Sequence, residues 1–513
     1  MKKILALILA LCMCIAVLVA CDNKDTETET ETKAETTEKE TEADTKKPSS
    51  TDDDEEEDDE DEGGEEGDGT IPDPSEISIG SVAEWEALAT AGDPDKEDFL
   101  NKTVKLTANI DFGTATATTL FKTFAGTFDG GNFTIKGKTA SRMSLLANTL
   151  DGATVKNVTV DGFAISCPVE GAENTSVIAA NAMTSNTTAE NPTVTFENIT
   201  IKNCSIDADK ASAGSKGVGF ILGEAKNINV AAKNIIVTAC TVTAANKNSS
   251  RIGGVVGYMM TSGLSTFEGI KVDMNVNAHA HLGGIIGRSE GPGNLHIEKI
   301  NVTGTFSSPG STGGSEGLGG VIGTKYNEAA ASGDSYVKNA YINVKLFQTS
   351  GSGRAGGIGN WYKNQNSSAN LTIENCYVAG EFSVRKDTAM KGRAGGLFGE
   401  YGAHNSTLTL KNVVVAAAVE QTYAGSDTAT PPVTPDVTKL GVTKDASLIN
   451  YASTNKTHTI AATNCYTTIV KMSDDSDITL TDGFTAVAAN KTAAMVTLDA
   501  SGYVSAIKAP SAS

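Results

Sequence analysis

The stretch Gly253-Gly254-Val255-Val256-Gly257 places two small residues and two apolar residues before a glycine. The same order returns along the chain, with looser copies, at 219–223, 283–287, 319–323, 356–359 and 395–399. A short unit that recurs at a fixed period is the signature of a repeat architecture. The chain from 71 onward is rich in Gly, Thr, Asn, Val and Ile, which favours short strands joined by turns.

A second motif alternates with the first and is centred on an asparagine, as in Val155-Lys156-Asn157-Val158-Thr159-Val160. Asn157 and Asn198 are 41 residues apart, and Asn198 and Asn234 are 36 apart. Later copies, at 339, 375 and 412, are separated by 36 and 37 residues. One turn of short strands cannot bury its own apolar face, whereas stacked turns share a continuous core. The spacing therefore predicts a β-solenoid of eight to ten turns, with strands about 4.8 Å apart.

The register of the repeat predicts two ladders inside the stack. Cys204 and Cys240 each follow a motif asparagine by six positions, so they should lie directly over one another on neighbouring turns. We expect small side chains packed in the interior, with a disulfide as the alternative. Stacked asparagines are expected to bond along the ladder or to cap turns.

The first twenty residues have the pattern of an export signal. A basic start, Met1-Lys2-Lys3, precedes an uncharged apolar run from 4 to 19. The run is short for a membrane span of about 20 residues. Leu18-Val19-Ala20-Cys21 resembles the lipobox of bacterial lipoprotein precursors, and that resemblance implies cleavage before Cys21 and lipidation of its thiol. The alternatives are an ordinary signal peptide and a single membrane helix.

Residues 21–70 have the composition of a disordered linker. From 22 to 70 there are 24 acidic residues and 5 lysines, so this segment carries −19 of the net charge of −22. A segment so charged and so poor in apolar residues cannot offset its ordering entropy. It is expected to be a solvated spacer, with weak binding of calcium or of a cationic wall as the alternative.

Cysteine usage agrees with export. Two of the eight cysteines lie in the signal segment and Cys21 is the lipobox residue, which leaves five. An odd number excludes complete pairing within one chain. No CxxC spacing occurs, which argues against a cysteine metal cluster.

The opening of the repeats carries a family resemblance. The stretch from Phe124 to Ile135 (FAGTFDGGNFTI), preceded by Val104 to Asp111 (VKLTANID), resembles bacterial surface proteins with GLUG-type repeats. These are pectate-lyase-like, right-handed parallel β-helices, and many are adhesin-like. The resemblance implies an all-β solenoid over 71–475, with a last turn or C-terminal cap over 476–513. The amphipathic stretch 82–90 (VAEWEALAT) would be a helix that caps the open end and shields edge strands.

One candidate binding surface comes from two predicted columns. Two positions before the small pair stand Arg251, His281, Gly317, Arg354 and Arg393. After the final glycine stand aromatic and basic residues, namely Tyr258, Arg288, Tyr326, Trp361, Tyr362 and Tyr401. Aromatic faces stack on sugar rings, and the arginine fork suits carboxylates or sulfates. The columns therefore suggest glycan binding, and the alternative is that they merely pack over loop corners.

The sequence indicates no catalytic centre. Lyases of the resembling fold use calcium-binding carboxylates beside an Arg or Lys base, and no dense carboxylate cluster recurs at the turn spacing. His279 and His281 could share a strand face, but two imidazoles alone make a weak metal site, so no metal or cofactor is predicted.

We therefore expect a non-catalytic adhesin or scaffold, anchored by lipid on the extracellular face of the membrane of a Gram-positive cell, with a polysaccharide or a host or cell-surface protein as its partner. The alternatives are a polysaccharide lyase or glycoside hydrolase and a component of envelope assembly. Residues 71–513 carry only −5, so no basic patch suits nucleic acid.

Overall fold

In a computed structural model of the chain, the described residues are 75–90, 99–166, 174–184, 192–208, 217–244, 250–309, 317–327, 333–348, 353–363, 370–387, 393–402, 406–424, 458–468, 480 and 483–510. The predicted signal segment, Cys21, the acidic linker and Cys167 lie outside them.

The chain winds through three parallel sheets in turn and forms a right-handed parallel β-helix, as predicted. Sheet 1 carries the long strands of the asparagine motif. Within the described ranges its 18 strands are Glu76–Ile79, Thr103–Leu106, Ile110–Asp111, Thr116–Ala117, Thr127–Lys136, Thr139–Ala140, Thr154–Asp161, Ala164–Ser166, Thr193–Lys202, Ser205–Asp207, Asn229–Ala244, Leu264–Ala278, Asn294–Ser308, Ser335–Gln348, Leu371–Asp387, Ser406–Ala424, His458–Thr467 and Phe484–Ala486.

The glycine motif supplies the other two sheets. In the part of the chain that the structure describes, sheet 2 has seven strands, Thr175–Ser176, Gly217–Gly219, Ser250–Gly253, Ala280–Gly283, Gly317–Gly319, Arg354–Gly356 and Arg393–Gly395. Sheet 3 has nine described strands, Phe121–Phe124, Ala147–Leu150, Ala179–Met183, Leu222–Lys226, Val256–Met260, Ile286–Glu290, Ile322–Asn327, Gly359–Lys363 and Phe398–Gly402. Among the described residues sheet 3 thus has nine rungs, whereas the successive parallel pairs of sheet 1 run through thirteen strands, from Glu76–Ile79 to Phe484–Ala486, which is more than the predicted eight to ten turns.

The glycines of the motif are required by close backbone approach. A Cβ on Gly253 would lie 2.1 Å from the carbonyl oxygen of Val256, across the bend between sheets 2 and 3. A Cβ on Gly254 would meet the carbonyl oxygen of Gly284 at 2.2 Å, on the next rung. One on Gly257 would lie 2.1 Å from the amide nitrogen of Val218, on the previous rung. Each distance is far below van der Waals contact, so a side chain at any of the three positions is excluded.

The asparagine ladder is confirmed. Asn157, Asn198 and Asn234 have left-handed backbones, with φ of 55°, 54° and 54°. This conformation bends the long strand, and asparagine adopts it more readily than most residues. The side-chain amide of Asn198 donates to Oδ1 of Asn157 at 3.0 Å, and that of Asn234 donates to Oδ1 of Asn198 at 2.9 Å. The ladder continues at 339, 375, 412 and 464, after an interruption by Gly269 and Lys299.

The interior cysteine ladder is also confirmed. Ser205 pairs with Thr241, which places Cys204 beside Cys240 on the neighbouring rung. Both side chains are buried in the core and both thiols are free. The ladder, rather than the alternative disulfide, is what the structure contains.

The predicted N-terminal helix forms at Val82–Thr90. Ser81 Oγ accepts a hydrogen bond from the amide of Glu84, and the Glu84 carboxylate accepts one from the amide of Gly80, which is a capping box. Trp85 is buried, and its indole Nε1 donates to the carbonyl oxygen of Thr118 at 2.8 Å. The helix is thereby fixed to the first turns of the solenoid.

The C-terminal residues leave the stack after one more rung. Phe484–Ala486 pairs in parallel with the strand that ends at Thr467. A helix, Ala489–Met495, and an antiparallel hairpin of Val496–Leu498 and Val504–Ile507 follow. They pack against the outer face of sheet 1, where Met495 and Val504 bury the side chains of Tyr377 and Val414. Neither helix among the described residues has the length and apolarity needed to cross a membrane.

Candidate functional site at the bend between sheets 2 and 3

The first predicted column is aligned as the spacing required. Arg251 pairs with His281, and Gly317 pairs with Arg354, which in turn pairs with Arg393. His281 and Gly317 are neighbours because the next residues, Leu282 and Leu318, are paired. The column runs along sheet 2 and faces sheet 3 across the tight bend.

The second predicted column is wrong, because its members occupy three different columns of sheet 3. Tyr258 and Arg288 are paired, and the next rung places Thr324 beside them. Trp361 and Tyr401 belong to the adjacent column that contains Lys325. Tyr326 and Tyr362 belong to a third.

The cause of the error is that the predicted members stand at different distances after the final glycine of their copies. Tyr258 and Arg288 are the first residue after that glycine, Trp361 and Tyr401 are the second, and Tyr326 and Tyr362 are the third. Since side chains alternate between faces, a shift of one residue exchanges the inside and the outside of a strand. Grouping residues at three different offsets therefore mixed inward and outward positions.

The buried aromatic rings cannot serve as a surface platform. Trp361 is 2% exposed and Tyr401 is 1% exposed, and both belong to the hydrophobic core. Tyr326, at 37% exposure, is a surface residue of sheet 3. Tyr362 and Arg393 lie in their strands, and their side chains fall outside the described set.

The remaining candidates form a cluster of polar side chains that we call the corner network. It comprises residues from both sheets that face each other across the bend, namely Arg251, Tyr258, His281, Arg288, Glu290, Thr324, Arg354, Asn360 and Glu400. Sequence reasoning missed the carboxylates of Glu290 and Glu400. Their signal was present, because Glu400 directly follows the final glycine of its copy and Glu290 lies two positions after Arg288.

Glu290 collects three partners at one end of the network. Arg288 Nη2 lies 2.5 Å from its carboxylate and Arg251 Nη2 lies 3.6 Å away. The hydroxyl of Tyr258 donates to the same carboxylate, and the guanidinium of Arg251 lies 3.8 Å from the centre of the Tyr258 ring. Burial and this hydrogen bond raise the pKa of Tyr258 above its usual value, so the phenol stays protonated.

His281 and Arg354 complete the network. Nδ1 of His281 lies 3.0 Å from the Thr324 hydroxyl. Burial, followed by the charges of Arg288, Arg251 and Arg354, lowers the pKa of His281 well below its usual value, so its ring is neutral at pH 7. Arg354 forms an ion pair with the Glu400 carboxylate. The arginines thus already hold protein carboxylates, which reduces their capacity to bind an external anion.

The pair of histidines does not assemble a metal site. His281 bonds within the corner network, and no group of three or more His, Cys, Asp or Glu side chains suited to a metal occurs in the part of the chain that the structure describes.

Lys325 is a buried charge that the sequence did not reveal. It is fully buried in the column of Trp361 and Tyr401, and its Nζ donates to the carbonyl oxygen of Gly291 at 3.0 Å. Burial lowers the pKa of Lys325 to about 7. This ammonium group faces the interior and adds no charge to the outer surface.

The comparisons with known proteins assign no function to the chain. No family model and no curated protein matches the chain. The chain is similar to the crystal structure of a candidate immunoglobulin A1 protease from Bacteroides ovatus, with 14% identity, over 75% of this chain and 83% of the other, at a TM-score of 0.29. A likeness this distant carries no argument about activity.

Proposed function

We propose that the chain is a non-catalytic surface scaffold or adhesin, exported and anchored to the membrane through a lipid on Cys21. The acidic linker separates the β-helix from the membrane, and one of its long faces meets a glycan or a cell-surface protein. The lipobox and the resemblance to surface proteins with GLUG-type repeats support the anchor and the location, for which we keep the Gram-positive surface.

The observation that carries the proposal is the regular outer face of sheet 1. One column there alternates in charge except where Glu268 and Glu298 are adjacent, and opposite charges in it pair along the stack. Lys156 lies 3.6 Å from Asp129, and Glu374 lies 3.5 Å from Lys338 and 2.7 Å from Lys411. A hydrogen-bonded sheet face of this length, with its charges paired along the stack, suits contact with an extended partner, since ordered strands lose little entropy when they bind.

Two measurements test the proposal. Metabolic labelling with a palmitate analogue should mark the wild-type chain, and a Cys21→Ser variant should lose both the label and its membrane association. Cells that display the wild-type chain should adhere to a glycan-coated or cell-coated surface, whereas cells that display only residues 1–70 should not. Equal adhesion by the two kinds of cell would overturn the scaffold function, and an unlabelled wild-type chain would overturn the anchor.

One observation supports the second candidate, a polysaccharide lyase or glycoside hydrolase. Lyases of the resembling fold place carboxylates beside an arginine or lysine base, and the Glu400 carboxylate lies against Arg354. Release of unsaturated or reducing sugar ends from an acidic polysaccharide, abolished in both Arg354→Ala and Glu400→Gln, would establish it. Turnover that persists in both variants would exclude this pair as its centre.

A further inference from the structure

A shallow cavity of about 450 Å³ opens on the outer face of sheet 1, away from the corner network. Its volume falls in the range of small-molecule sites. The lining combines small side chains, a pair of aromatic rings and carboxylates, namely Thr195, Ala231, Thr266, His296, Tyr336 and Glu298, together with other residues of the same strands.

Strand register explains why the cavity lies where it does. The outward column passes through Thr195, Ala231 and Thr266, then through His296 and Tyr336 on the next two rungs. Three small side chains are thus followed by two large rings. The three small side chains form the bottom of the cavity, which we call the floor, and the two rings rise above it at one end.

The two rings act as one wall. Their centroids are 4.1 Å apart and their planes differ by 20°, so they are stacked. His296 Nε2 lies 3.2 Å from the carbonyl oxygen of Asp334, which holds the imidazole in place. Since Tyr336 covers one face of the imidazole, its other face borders the floor of small residues. Lys338 Nζ lies 4.6 Å from the centroid of the Tyr336 ring and stabilises it through a cation–π contact.

A row of carboxylates runs along one side of the floor. Glu197, Lys233, Glu268 and Glu298 follow one another on successive rungs. Lys299 Nζ donates to Glu268 at 2.8 Å, and the amide of Asn339 donates to Glu298 at 3.1 Å. Each carboxylate oxygen has two lone pairs, so these groups can accept further hydrogen bonds. With Lys233, Lys299 and Lys338 beside three glutamates, the site has no net charge to attract an ion.

We propose that this cavity binds a neutral sugar unit of a glycan chain, whose apolar ring face stacks on His296 while its hydroxyls donate to Glu268 and Glu298. The chain would continue along the solenoid axis over Thr266 and Ala231. Aromatic rings with convergent carboxylates suit a ligand that has an apolar face and many hydroxyl donors. This inference rests on the proposed surface-binding function and names its ligand class and its face.

The test uses the processed chain that begins at Cys21, purified in detergent, and neutral oligosaccharides as probes. Cellohexaose, xylohexaose, mannohexaose, maltohexaose and chitohexaose would each be titrated calorimetrically. We expect one of these probes to bind. Tyr336→Ala and His296→Ala should each weaken the affinity for that probe about tenfold, as loss of an anchoring ring does. Tyr336→Phe should bind within about threefold of the wild type, because it keeps the stacked ring.

Tyr326→Ala is the matched control, since it removes an exposed tyrosine from sheet 3. If binding falls in Tyr326→Ala or Arg354→Ala and not in Tyr336→Ala, the proposed sugar site in the cavity is wrong and the proposed surface function stands. If none of the neutral probes binds, the inference is overturned, and the cell-adhesion measurement decides the surface function by itself. The unfolding midpoint of each variant shows whether a loss of binding is a loss of folding.

Discussion

The motif asparagines combine two properties at one position. Each adopts a left-handed backbone that bends the long strand, and each passes a side-chain hydrogen bond to the previous rung. Lys299 holds the same conformation, with φ of 54°, and pairs instead with Glu268. The left-handed bend is therefore the general requirement at this position of the strand, and the hydrogen bonds between asparagine side chains are an additional contribution.

Two substitutions at Asn198 separate these contributions. Asn198→Ala should cost about 2 kcal/mol, from the left-handed backbone of a residue with a Cβ and from two lost hydrogen bonds. Asn198→Gly should cost only about 1 kcal/mol, because glycine adopts the bend without strain. Urea unfolding of both variants measures the difference. A less stable glycine variant would contradict this account.

The buried cysteines should resist alkylation in the folded protein. Burial, and then Cys240, raises the pKa of Cys204 to about 12, and burial raises that of Cys240 to about 11. The thiolate is the reactive form. Iodoacetamide at pH 8, followed by peptide mass spectrometry, should therefore modify neither residue until urea is added. Modification of the native chain faster than it unfolds would refute the burial of this pair.

The same shifts set a dependence of stability on pH. The folded thiols hold their protons above the ordinary value of 9.0, so the folded state binds more protons than the unfolded one between pH 9 and 12. Their contribution is complete below pH 9 and is lost as the pH rises through that window. Cys204→Ala/Cys240→Ala should flatten this part of the stability profile. An equally steep alkaline loss in that variant would assign it to other groups.

The bend between sheets 2 and 3 has no room for a side chain at its glycines. In Gly284→Ala the new Cβ would lie 2.1 Å from the carbonyl oxygen of Gly320 and 2.4 Å from Val302 Cγ1. Neither can move without shifting the next rung, so we expect a loss of about 3 kcal/mol in the free energy of unfolding.

Gly152→Ala provides the control for that substitution. Gly152 has φ of 70° and nothing within 4 Å of its added Cβ, so only backbone strain of about 1 kcal/mol is expected. The two variants are compared by their urea midpoints. If Gly152→Ala lowered the urea midpoint more than Gly284→Ala does, close backbone approach would not explain the glycine motif.

The C-terminal segment ties several rungs together from outside the stack. Val504 is buried against Tyr377 and Val414, and the side-chain amide of Asn301 donates to the carbonyl oxygen of Gly502 at 2.8 Å. These contacts span the strands from 294 to 424. Rungs of a solenoid otherwise depend only on their neighbours, so this segment adds coupling over a longer range.

Val504→Asp should release the segment, because it places an unpaired carboxylate in the apolar contact. We expect faster proteolysis near Lys491 and Lys508 and lower amide protection on the outer face of strand Leu371–Asp387, with the inner core protected as before. Ser505→Asp, at the exposed neighbouring position, is the matched control. Equal proteolysis of both variants would mean that the contact does not hold the segment.

The amphipathic pattern of 82–90 predicted the helix at Val82–Thr90, and the family resemblance implied a right-handed parallel β-helix. The periodic motifs were enough to predict a β-solenoid, the Asn157–Asn198–Asn234 ladder and the stacking of Cys204 on Cys240. They suffice because each turn repeats one local rule and contacts only its neighbours. The anchor at Cys21 stays a prediction from its lipobox. Tertiary structure decided which side chains face outward, because the second residue after each final glycine, as at Trp361 and Tyr401, points into the core. It also decided that Glu290 and Glu400 engage the corner arginines and that His296 and Tyr336 meet over a floor of small residues. Those contacts join residues on different turns, so they depend on the register of the whole stack.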